Sequence, residues 1–475
     1  MLNTLNDVLN NVDNFIWGMP LIILILFTGI LLTVRLRGLQ IRHLGKALHY
    51  VFHNEDDGEG EVTSFGALCT ALSATIGTGN IVGCATAIVA GGPGALFWMW
   101  LAAFFGMATK YAEGMLAVKY RVIAEDGHAL GGPFYYIEKG MGKNFKWLAK
   151  LFCVFGTMVG LFGIGTFTQV NGITSAVNNF FDPSNVHTIS LFGMDYSISV
   201  VVAGIIVTIC AGLVIIGGIK RISKVSEVIV PFMAVTYIGV CLIIVFTHLP
   251  QVPAAFAEIV QSAFGLKAVA GGAIGAMTVA MQKGIARGIF SNEAGLGSAP
   301  IAAAAAQTNE PVRQGLVSMT GTFIDTIIVC TMTGLAIVMT GAWDMGLEGV
   351  AVTTKAFALG LPFPAKASAF ILMLCLVFFA FTTILGWAYY SERCLEYLVN
   401  GKKFVITAFK WLYILAVFIG PFMTVSAVWT IADICNGLMA FPNLVALLAL
   451  NGDVVSETRG YLERVGIVKT TVGEA

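Results

Sequence analysis

The sequence predicts an all-α integral membrane protein in which one extra span precedes ten core spans that form two halves of opposite orientation. Composition is the first observation: 57% of the 475 residues are hydrophobic and only 11% are charged, whereas a soluble domain has about 25% charged residues. The second is a series of about eleven long apolar stretches. The third is a pair of glycine-rich interruptions that recur five stretches apart.

A transmembrane helix needs about 20 mostly apolar residues. The first apolar stretch follows a polar N-terminal segment that lacks the basic region of a secretory signal peptide. We therefore expect it to remain in the protein as a span. The eleven candidate spans are 15–35, 64–90, 94–120, 149–178, 197–218, 226–247, 268–290, 314–340, 366–391, 404–420 and 422–448.

Basic residues predict the orientation of these spans, because cytoplasmic loops are rich in lysine and arginine. Arg35 and Arg37 follow the first span and Lys220 and Arg221 follow the fifth, whereas the connection at 179–196 contains no basic residue. This alternation predicts a multi-pass plasma-membrane protein with its N-terminus outside and its C-terminus in the cytoplasm. The absence of targeting signals favours a bacterial inner membrane.

The span count also predicts how the chain is divided. The extra helix and a cytoplasmic loop occupy 1–62, and a cytoplasmic tail occupies 451–475. Between them lie two repeats of five spans each, at 63–250 and 251–450.

Two polar, glycine-rich stretches interrupt the apolar segments. Span two contains ALSATIGTGNIVG at 71–83, and span seven contains AVAGGAIGAMTVAM at 268–281. Irregular backbone is tolerated in a bilayer only where it lines a protein cavity. Because an offset of five spans reverses the second half relative to the first, the pattern predicts inverted repeats whose first helices break at a binding site near mid-membrane.

A broken helix offers ligands to the carboxylate of an amino acid and to a cation. Freed N–H groups at the start of a half-helix attract a carboxylate, and freed carbonyl groups suit a hard cation such as Na⁺. Gly77 and Gly79 permit close approach of the backbone, and Asn80 with Thr75 or Thr78 adds side-chain oxygens. The alternative is that the small residues only allow tight helix packing.

Several other functions are excluded by the residues present. The nine cysteines form no CxxC pair and the six histidines lie in polar loops or at span ends, which argues against a disulfide framework, a zinc site or a histidine proton relay. No nucleophile is paired with a base, so we expect no enzyme and no organic cofactor. A phosphate-binding loop would require a preceding strand, and a net charge of zero implies no nucleic-acid partner.

Three longer stretches resemble one family, the sodium:alanine symporters, also described as alanine or glycine:cation symporters. They are GGPGALFWMWLAAFFGMAT at 91–109, KGIARGIFSNEAGLGSAPIAAAAAQTNEP at 283–311 and FIDTIIVCTMTG at 323–334. The resemblance implies the leucine-transporter fold with one extra N-terminal helix. It also implies sodium-coupled symport of small neutral amino acids, alanine or glycine, by alternating access.

The resemblance further implies which residues bind. Only one of the two threonines at 382 and 383 need be a ligand, and Trp387 either closes the side-chain pocket or only packs. Gln169 either faces the site or only bonds between helices. The implied substrate contacts are Thr75, Gly77, Thr78, Gly79, Asn80, Phe167, Gln169, Ile274, Met277, Thr278, Thr383 and Trp387. The implied Na⁺ ligands are Ser73, Ile76, Ala380, Thr382 and Thr383.

Acidic residues inside spans are costly and usually functional. Asp325 is expected either to ligate a cation or to tie two helices together, and Asp433 to be a structural or gating partner. Glu293 is expected to form, with Lys283, Arg287 and Asn292 at the inner end of span seven, an inner gate or a loop anchor. Glu113 is expected to pair with Lys110. Span six contains no lysine, which favours Na⁺ over a proton as the coupling ion in this fold.

Overall fold

The structure is a computed structural model that describes residues 2–53, 58–124, 127–191, 194–265, 272–423 and 426–466. Within these ranges the chain is a bundle of helices with two short antiparallel hairpins. The hairpins pair β1 (Val122–Ile123) with β2 (Ala129–Leu130) and β3 (Thr188–Leu191) with β4 (Met194–Ser197).

The N-terminal region begins with an additional helix ahead of the predicted first span. Gly18 separates the two helices, and the second starts with a proline in its first turn, a position that proline favours. The first helix packs against the last long helix of the bundle, and the second packs against α7 (Gly94–Lys119). The four helices of this region are α1 (Leu2–Ile16), α2 (Met19–Arg35), α3 (Leu39–Arg42) and α4 (Leu44–Phe52).

The second predicted span is broken, as expected. Helix α5 (Ser64–Thr75) starts at Thr63, whose hydroxyl accepts from the Gly66 amide at 2.9 Å, the usual device for satisfying a free helix N–H. After a break the chain continues as a π-helical segment at Gly79–Gly83 and then as α6 (Cys84–Gly91). The two parts meet at a bend of 53°.

The rest of the first half contains both hairpins and four long helices. A π-helical turn at Ile137–Met141 and a 3₁₀ turn at Lys143–Phe145 follow the short helix after the first hairpin. The helices are α8 (Pro133–Tyr136), α9 (Lys146–Phe162), α10 (Phe167–Phe181), α11 (Ile198–Ile215) and α12 (Gly218–Thr247).

The second half repeats this succession of long helices. Short 3₁₀ turns lie at Leu249–Gln251, Ala342–Asp344 and Gly420–Phe422, and a π-helical segment lies at Phe323–Cys330. The helices are α13 (Val252–Ala263), α14 (Ala273–Asn292), α15 (Ala299–Ala303), α16 (Pro311–Thr322), α17 (Thr331–Thr340), α18 (Val350–Gly360), α19 (Ala365–Leu398), α20 (Lys403–Ile419), α21 (Ser426–Ala449) and α22 (Asn451–Arg464).

Among the described residues, eight helices are long and apolar enough to cross a membrane, or nine if α5 and α6 count as one bent span. Each of the eleven predicted ranges contains a helix. The two ranges that fall outside the nine are those of α7 and α14. Both helices carry charged residues, such as Lys110 in α7 and Arg287 in α14, which lower their hydropathy.

The position predicted for the second break is wrong. Residues 268–271 lie outside the described residues, but 273–281 belong to the unbroken helix α14. The break comes later, at 293–298, between α14 and α15. Glu293 there has φ = +55°, a left-handed conformation that non-glycine residues seldom adopt, and Gly295 and Gly297 have φ values of +89° and +81°.

The two broken helices run in opposite directions. Val62, just before α5, forms a parallel bridge with Ala306, just after α15. The start of α5 and the end of α15 therefore lie at the same end of the bundle. Helix α5 runs from that end to its break, whereas α15 runs from its break to that end. This antiparallel relation is what inverted repeats require, although the division of the chain into four parts stays a prediction.

Candidate functional site

The first break is held open by its own asparagine. An unbroken helix would use the Gly77 amide to bond the Ser73 carbonyl. The Gly77 backbone N–H instead donates to the side-chain oxygen Asn80 Oδ1 at 2.9 Å. The Asn80 backbone N–H donates to the Gly77 carbonyl at 3.3 Å. The Asn80 side chain thus replaces the missing helical bond, and the Gly77 N–H does not bond the Ser73 carbonyl.

The other end of Asn80 ties the break to a buried carboxylate. Its Nδ2 donates to Asp325 Oδ1 at 2.7 Å and to the Asp325 carbonyl at 3.2 Å. Asp325 Oδ2 accepts from Ser291 Oγ at 2.9 Å and from Thr326 Oγ1 at 2.7 Å. Of the two roles predicted for Asp325, the described contacts support the helix tie, since both carboxylate oxygens are used to join the break to α14.

Helices α10 and α19 close the first break from two further directions. The Thr78 amide lies 3.5 Å from Gln169 Oε1, at the long limit for a hydrogen bond. A Cβ placed on Gly77 would lie 2.5 Å from Thr383 Oγ1, closer than any real contact. A side chain at position 77 would therefore require the Thr383 hydroxyl to move.

The two adjacent threonines of α19 face different neighbours. Thr383 Oγ1 lies beside Gly77 and donates to the Phe379 carbonyl at 3.0 Å. Thr382 Oγ1 donates to the same carbonyl at 3.0 Å but contacts Met233 Sδ of α12 at 3.6 Å. Ala380, which is fully buried, precedes Thr383 by three residues and therefore shares its helix face. The structure thus places Thr383 at the break and turns Thr382 towards α12.

Side chains from α7 and α21 satisfy the backbone of the second break. The Gly295 amide donates to Glu113 Oε1 at 3.1 Å, and the Gly295 carbonyl accepts from Asn443 Nδ2 at 2.9 Å. Asn443 Nδ2 also donates to Glu113 Oε1 at 2.6 Å. The Tyr136 hydroxyl donates to Asn443 Oδ1. Buried irregular backbone needs such partners in a membrane protein.

Glu293 anchors the second break to α19. Its Oε1 accepts from Trp387 Nε1 at 3.0 Å and its Oε2 accepts from Ser298 Oγ at 2.5 Å. Trp387 is fully buried, and its Cβ would lie 2.7 Å from a Cβ placed on Gly165. Of the roles predicted for Glu293, the described contacts support that of an anchor.

Residues 2–472 match the sodium:alanine symporter family. The chain belongs to that family. It is 55% identical to an uncharacterized transporter of Haemophilus influenzae over 98% of both chains. It is 46% identical to the sodium/alanine symporter AgcS of Methanococcus maripaludis over 96% of this chain and 97% of AgcS.

A solved structure confirms the predicted fold. The crystal structure of MhsT in complex with L-phenylalanine superimposes with a TM-score of 0.58 over 84% of this chain and 93% of that chain. At 11% identity this likeness shows the fold alone, the leucine-transporter fold. As a member of the sodium:alanine symporter family, the chain is a multi-pass membrane transporter and not an enzyme.

Four residues predicted to line the transport site lie elsewhere. Ile274 is 75% exposed and, with Met277 and Thr278, lies in the first turns of α14, about four to five helical turns before the second break. Phe167 packs against Gly420 and Phe162. These predictions are corrected: the first three depended on a break at the wrong position, and Phe167, two residues before Gln169 on one helix, faces away from it.

Thr75, predicted as a substrate contact, lines a small cavity together with residues of α7 and α16. The cavity has a volume of about 20 Å³ and is also lined by Lys110, Asn292 and Gln314, so it has room for about one water. Lys110 Nζ and Gln314 Oε1 are buried without a hydrogen-bond partner among the described residues. The predicted ion pair of Lys110 with Glu113 is absent from the described contacts.

Sequence reasoning missed Ser291, Asn443 and Thr326, which fix the two breaks through Asp325 and Gly295. Asn443 carried a usable signal, because an asparagine flanked by FP and LVALL is a polar residue inside an apolar segment. Ser291 and Thr326 carried none, since hydroxyl side chains commonly bond back to their own helix.

Proposed function

We propose that the chain carries alanine, with glycine as a second substrate, into the cell together with Na⁺ by alternating access. One observation carries the proposal: two antiparallel helices break next to each other, and both breaks are contacted by α19. The Thr383 hydroxyl approaches Gly77 at the first break, and Trp387 bonds Glu293 at the second. The relative AgcS, named a sodium/alanine symporter, supports this choice of substrate and ion.

The substrate is placed at the first break, beside Gly77, Thr78, Gly79 and Gln169. No side chain caps the half-helix that begins after Thr78, so its positive end is available for a carboxylate. Asn80 uses both ends of its amide to hold the break, and its role is therefore to position the backbone. The close approach of Thr383 leaves little room, which favours a small amino acid.

Sodium is placed where carbonyl oxygens are released. The Ser73 carbonyl loses its helical partner because the Gly77 amide bonds Asn80, and the Ile76 carbonyl lies in the break itself. The Thr383 hydroxyl supplies a third oxygen from α19, next to Ala380. Thr382 contributes less to this proposal because it faces Met233.

Substrate entry and release require helices to move. The small cavity beside Thr75 holds about one water, and the residues 73–81 are buried. Closure around a bound ligand followed by opening on the other side is the mechanism that this fold supports. We place the N-terminus outside and the C-terminus in the cytoplasm of a bacterial inner membrane, on the distribution of basic residues.

Uptake of labelled alanine into proteoliposomes tests the proposal. We expect an inward Na⁺ gradient to drive accumulation, and a proton gradient alone to drive none. Thr383→Ala should raise the Na⁺ concentration needed for half-maximal uptake by about tenfold. The matched control is Thr382→Ala, which removes the neighbouring hydroxyl and should change it by less than twofold. Accumulation driven by protons without Na⁺, or equal effects of the two variants, would contradict the proposal.

A further inference from the structure

A second, larger cavity lies beside the N-terminal helices α1 and α2. It has a volume of about 350 Å³ and lies between the α1–α2 junction, the second half of α14 and α21. This volume is within the range of about 300–1,000 Å³ that is usual for small-molecule sites. Its charged and aromatic lining comprises Asp13, Trp17, Lys283, Arg287, Phe290 and Asp433.

The charges of this cavity balance, yet they are not paired with one another. Two carboxylates, Asp13 and Asp433, face two cations, Lys283 and Arg287. No ion pair joins any of these four groups in the described part of the chain. Asp13 Oδ1 is buried without a hydrogen-bond partner among the described residues. Among the described residues, these four groups therefore line one space without pairing with one another.

Two contacts fix the walls of the cavity. Trp17 Nε1 donates to the Asp433 carbonyl at 3.0 Å, which attaches the α1–α2 junction to α21. The Arg287 guanidinium lies 5.6 Å from the centre of the Phe290 ring, within the distance of a cation–π interaction. The cationic wall of α14 is therefore oriented by Phe290, and the anionic wall is shared by α1 and α21.

We propose that this cavity is a reception site that binds the zwitterionic amino acid before it reaches the breaks. Lys283 and Arg287 hold the carboxylate, and Asp433 and Asp13 hold the ammonium group. A simple anion or cation would leave one pair of charges without a partner, whereas a zwitterion satisfies both. The inference rests on the proposed function, because it adds a second site for the same substrate.

Phe290 stands between the reception site and the first break. It lines the cavity, and its Cδ1 lies 3.6 Å from where a Cβ on Gly79 would be. The next residue, Ser291, bonds the carboxylate that holds Asn80. A rotation of the Phe290 ring would connect the reception site with the backbone of the first break, over the width of one side chain.

The test compares variants of the reception site in proteoliposomes and in solution. Arg287→Gln and Asp433→Asn should each raise the KM for alanine uptake by about tenfold and leave kcat within twofold. The milder variant Lys283→Gln, at an exposed position, should raise KM less. Lys402→Gln, another exposed lysine outside the cavity, is the matched control and should leave KM unchanged.

Equilibrium binding of labelled alanine to the purified protein in saturating Na⁺ completes the test. We expect two molecules bound per wild-type chain and one per Arg287→Gln chain, with the tighter affinity unchanged. An unchanged KM in Arg287→Gln and Lys283→Gln, a single bound alanine in the wild type, or a loss of kcat together with a lowered Tm would each overturn the proposal. So would an effect present only in phosphatidylethanolamine vesicles and absent in phosphatidylglycerol vesicles, which would assign the cavity to a lipid headgroup. A wild type without Na⁺-driven uptake would instead contradict the proposed function.

Discussion

The indole N–H of Trp387 donates to Glu293 Oε1 at 3.0 Å and thereby joins α19 to the second break. Thr383, one turn earlier on the same helix face, lies against Gly77 at the first break. One turn of α19 therefore contacts both interruptions. A displacement of this helix relative to either break therefore changes the environment of both.

Trp387→Phe tests the contact with Glu293. The substitution removes the donor and leaves a buried carboxylate oxygen without its partner, which we expect to cost about 1–3 kcal/mol of stability and to slow transport. Thermal unfolding followed by intrinsic fluorescence, together with initial uptake rates, measures both effects. Trp147→Phe, at a 62% exposed position, is the control and should change stability by less than about 0.5 kcal/mol. Equal Tm values for the two variants would refute the role of the bond.

Gly77→Ala tests the close approach of α19 to the first break. Since the added Cβ would lie 2.5 Å from Thr383 Oγ1, we expect loss of uptake with the protein still folded. Gly83→Ala adds the same methyl group where no atom lies within 4 Å and should be tolerated. The double variant Gly77→Ala/Thr383→Ala removes the overlapping hydroxyl; if it transports no better than Gly77→Ala at saturating Na⁺, the steric explanation fails.

An exchange of Asn80 and Asp325 tests whether the carboxylate is a helix tie. Asn80→Asp alone places two buried carboxylates together and should cost about 3–5 kcal/mol. In the double variant Asn80→Asp/Asp325→Asn, the amide at 325 can donate to the carboxylate at 80, so at least half of that loss should be recovered. Denaturation in detergent measures the stabilities. If the double variant recovers stability but loses Na⁺-dependent binding, Asp325 serves the ion as well as the tie.

Arg121 fastens the end of the bundle where the two broken helices begin and end. Its guanidinium donates to four backbone carbonyl groups. They belong to Ala304 at 2.9 Å, Ala306 at 2.6 Å, Thr308 at 2.7 Å and Glu59 at 2.5 Å. Arg121→Lys keeps the charge but not the planar fork, so we expect a cysteine introduced at Ala303 to react faster with a thiol reagent. Arg464→Lys is the control, because the Arg464 side chain is 60% exposed in its ion pair with Glu310. Identical reaction rates would contradict the role of Arg121.

Ile274→Ala tests the corrected position of the second break. Because Ile274 is 75% exposed and about five helical turns away from Glu293, we expect KM and kcat for alanine to stay within twofold of the wild type. Val279→Ala, at a 41% exposed position on the same helix, provides a comparison without a predicted role. A tenfold rise in KM for Ile274→Ala alone would return this residue to the substrate site.

The first break was predictable because its signal is local. Two glycines, two threonines and an asparagine within 75–80 are incompatible with a simple apolar helix, and the structure breaks there. The second break was predicted within the glycine-rich stretch 268–281 of span seven. It lies later because α14 has 20 residues before its break, whereas α5 has 12. Inverted repeats preserve the crossing of two helices in space, but not the number of residues that precede it.

Side-chain direction was the other limit. Gln169 and Phe167 belong to the same motif, and a one-dimensional pattern cannot show which of them faces the break. The same uncertainty applied to Thr382 and Thr383, which differ by about 100° around the helix axis. Asp325 illustrates a third limit, since the identity of its partners depends on three separate segments that carry Asn80, Ser291 and Thr326.

The sequence by itself determined that this protein is embedded in a membrane, where its spans lie, which family it resembles and where the first helix breaks. These properties depend on composition and on neighbouring residues, because a bilayer selects apolar segments and a helix breaks where its local residues disfavour it. Only the tertiary structure decided the place of the second break, the partner of Trp387 and the cavity that brings Arg287 and Asp433 together. Those depend on which helix faces come together, and hydrogen bonds act only between atoms that packing has brought within about 3 Å of each other.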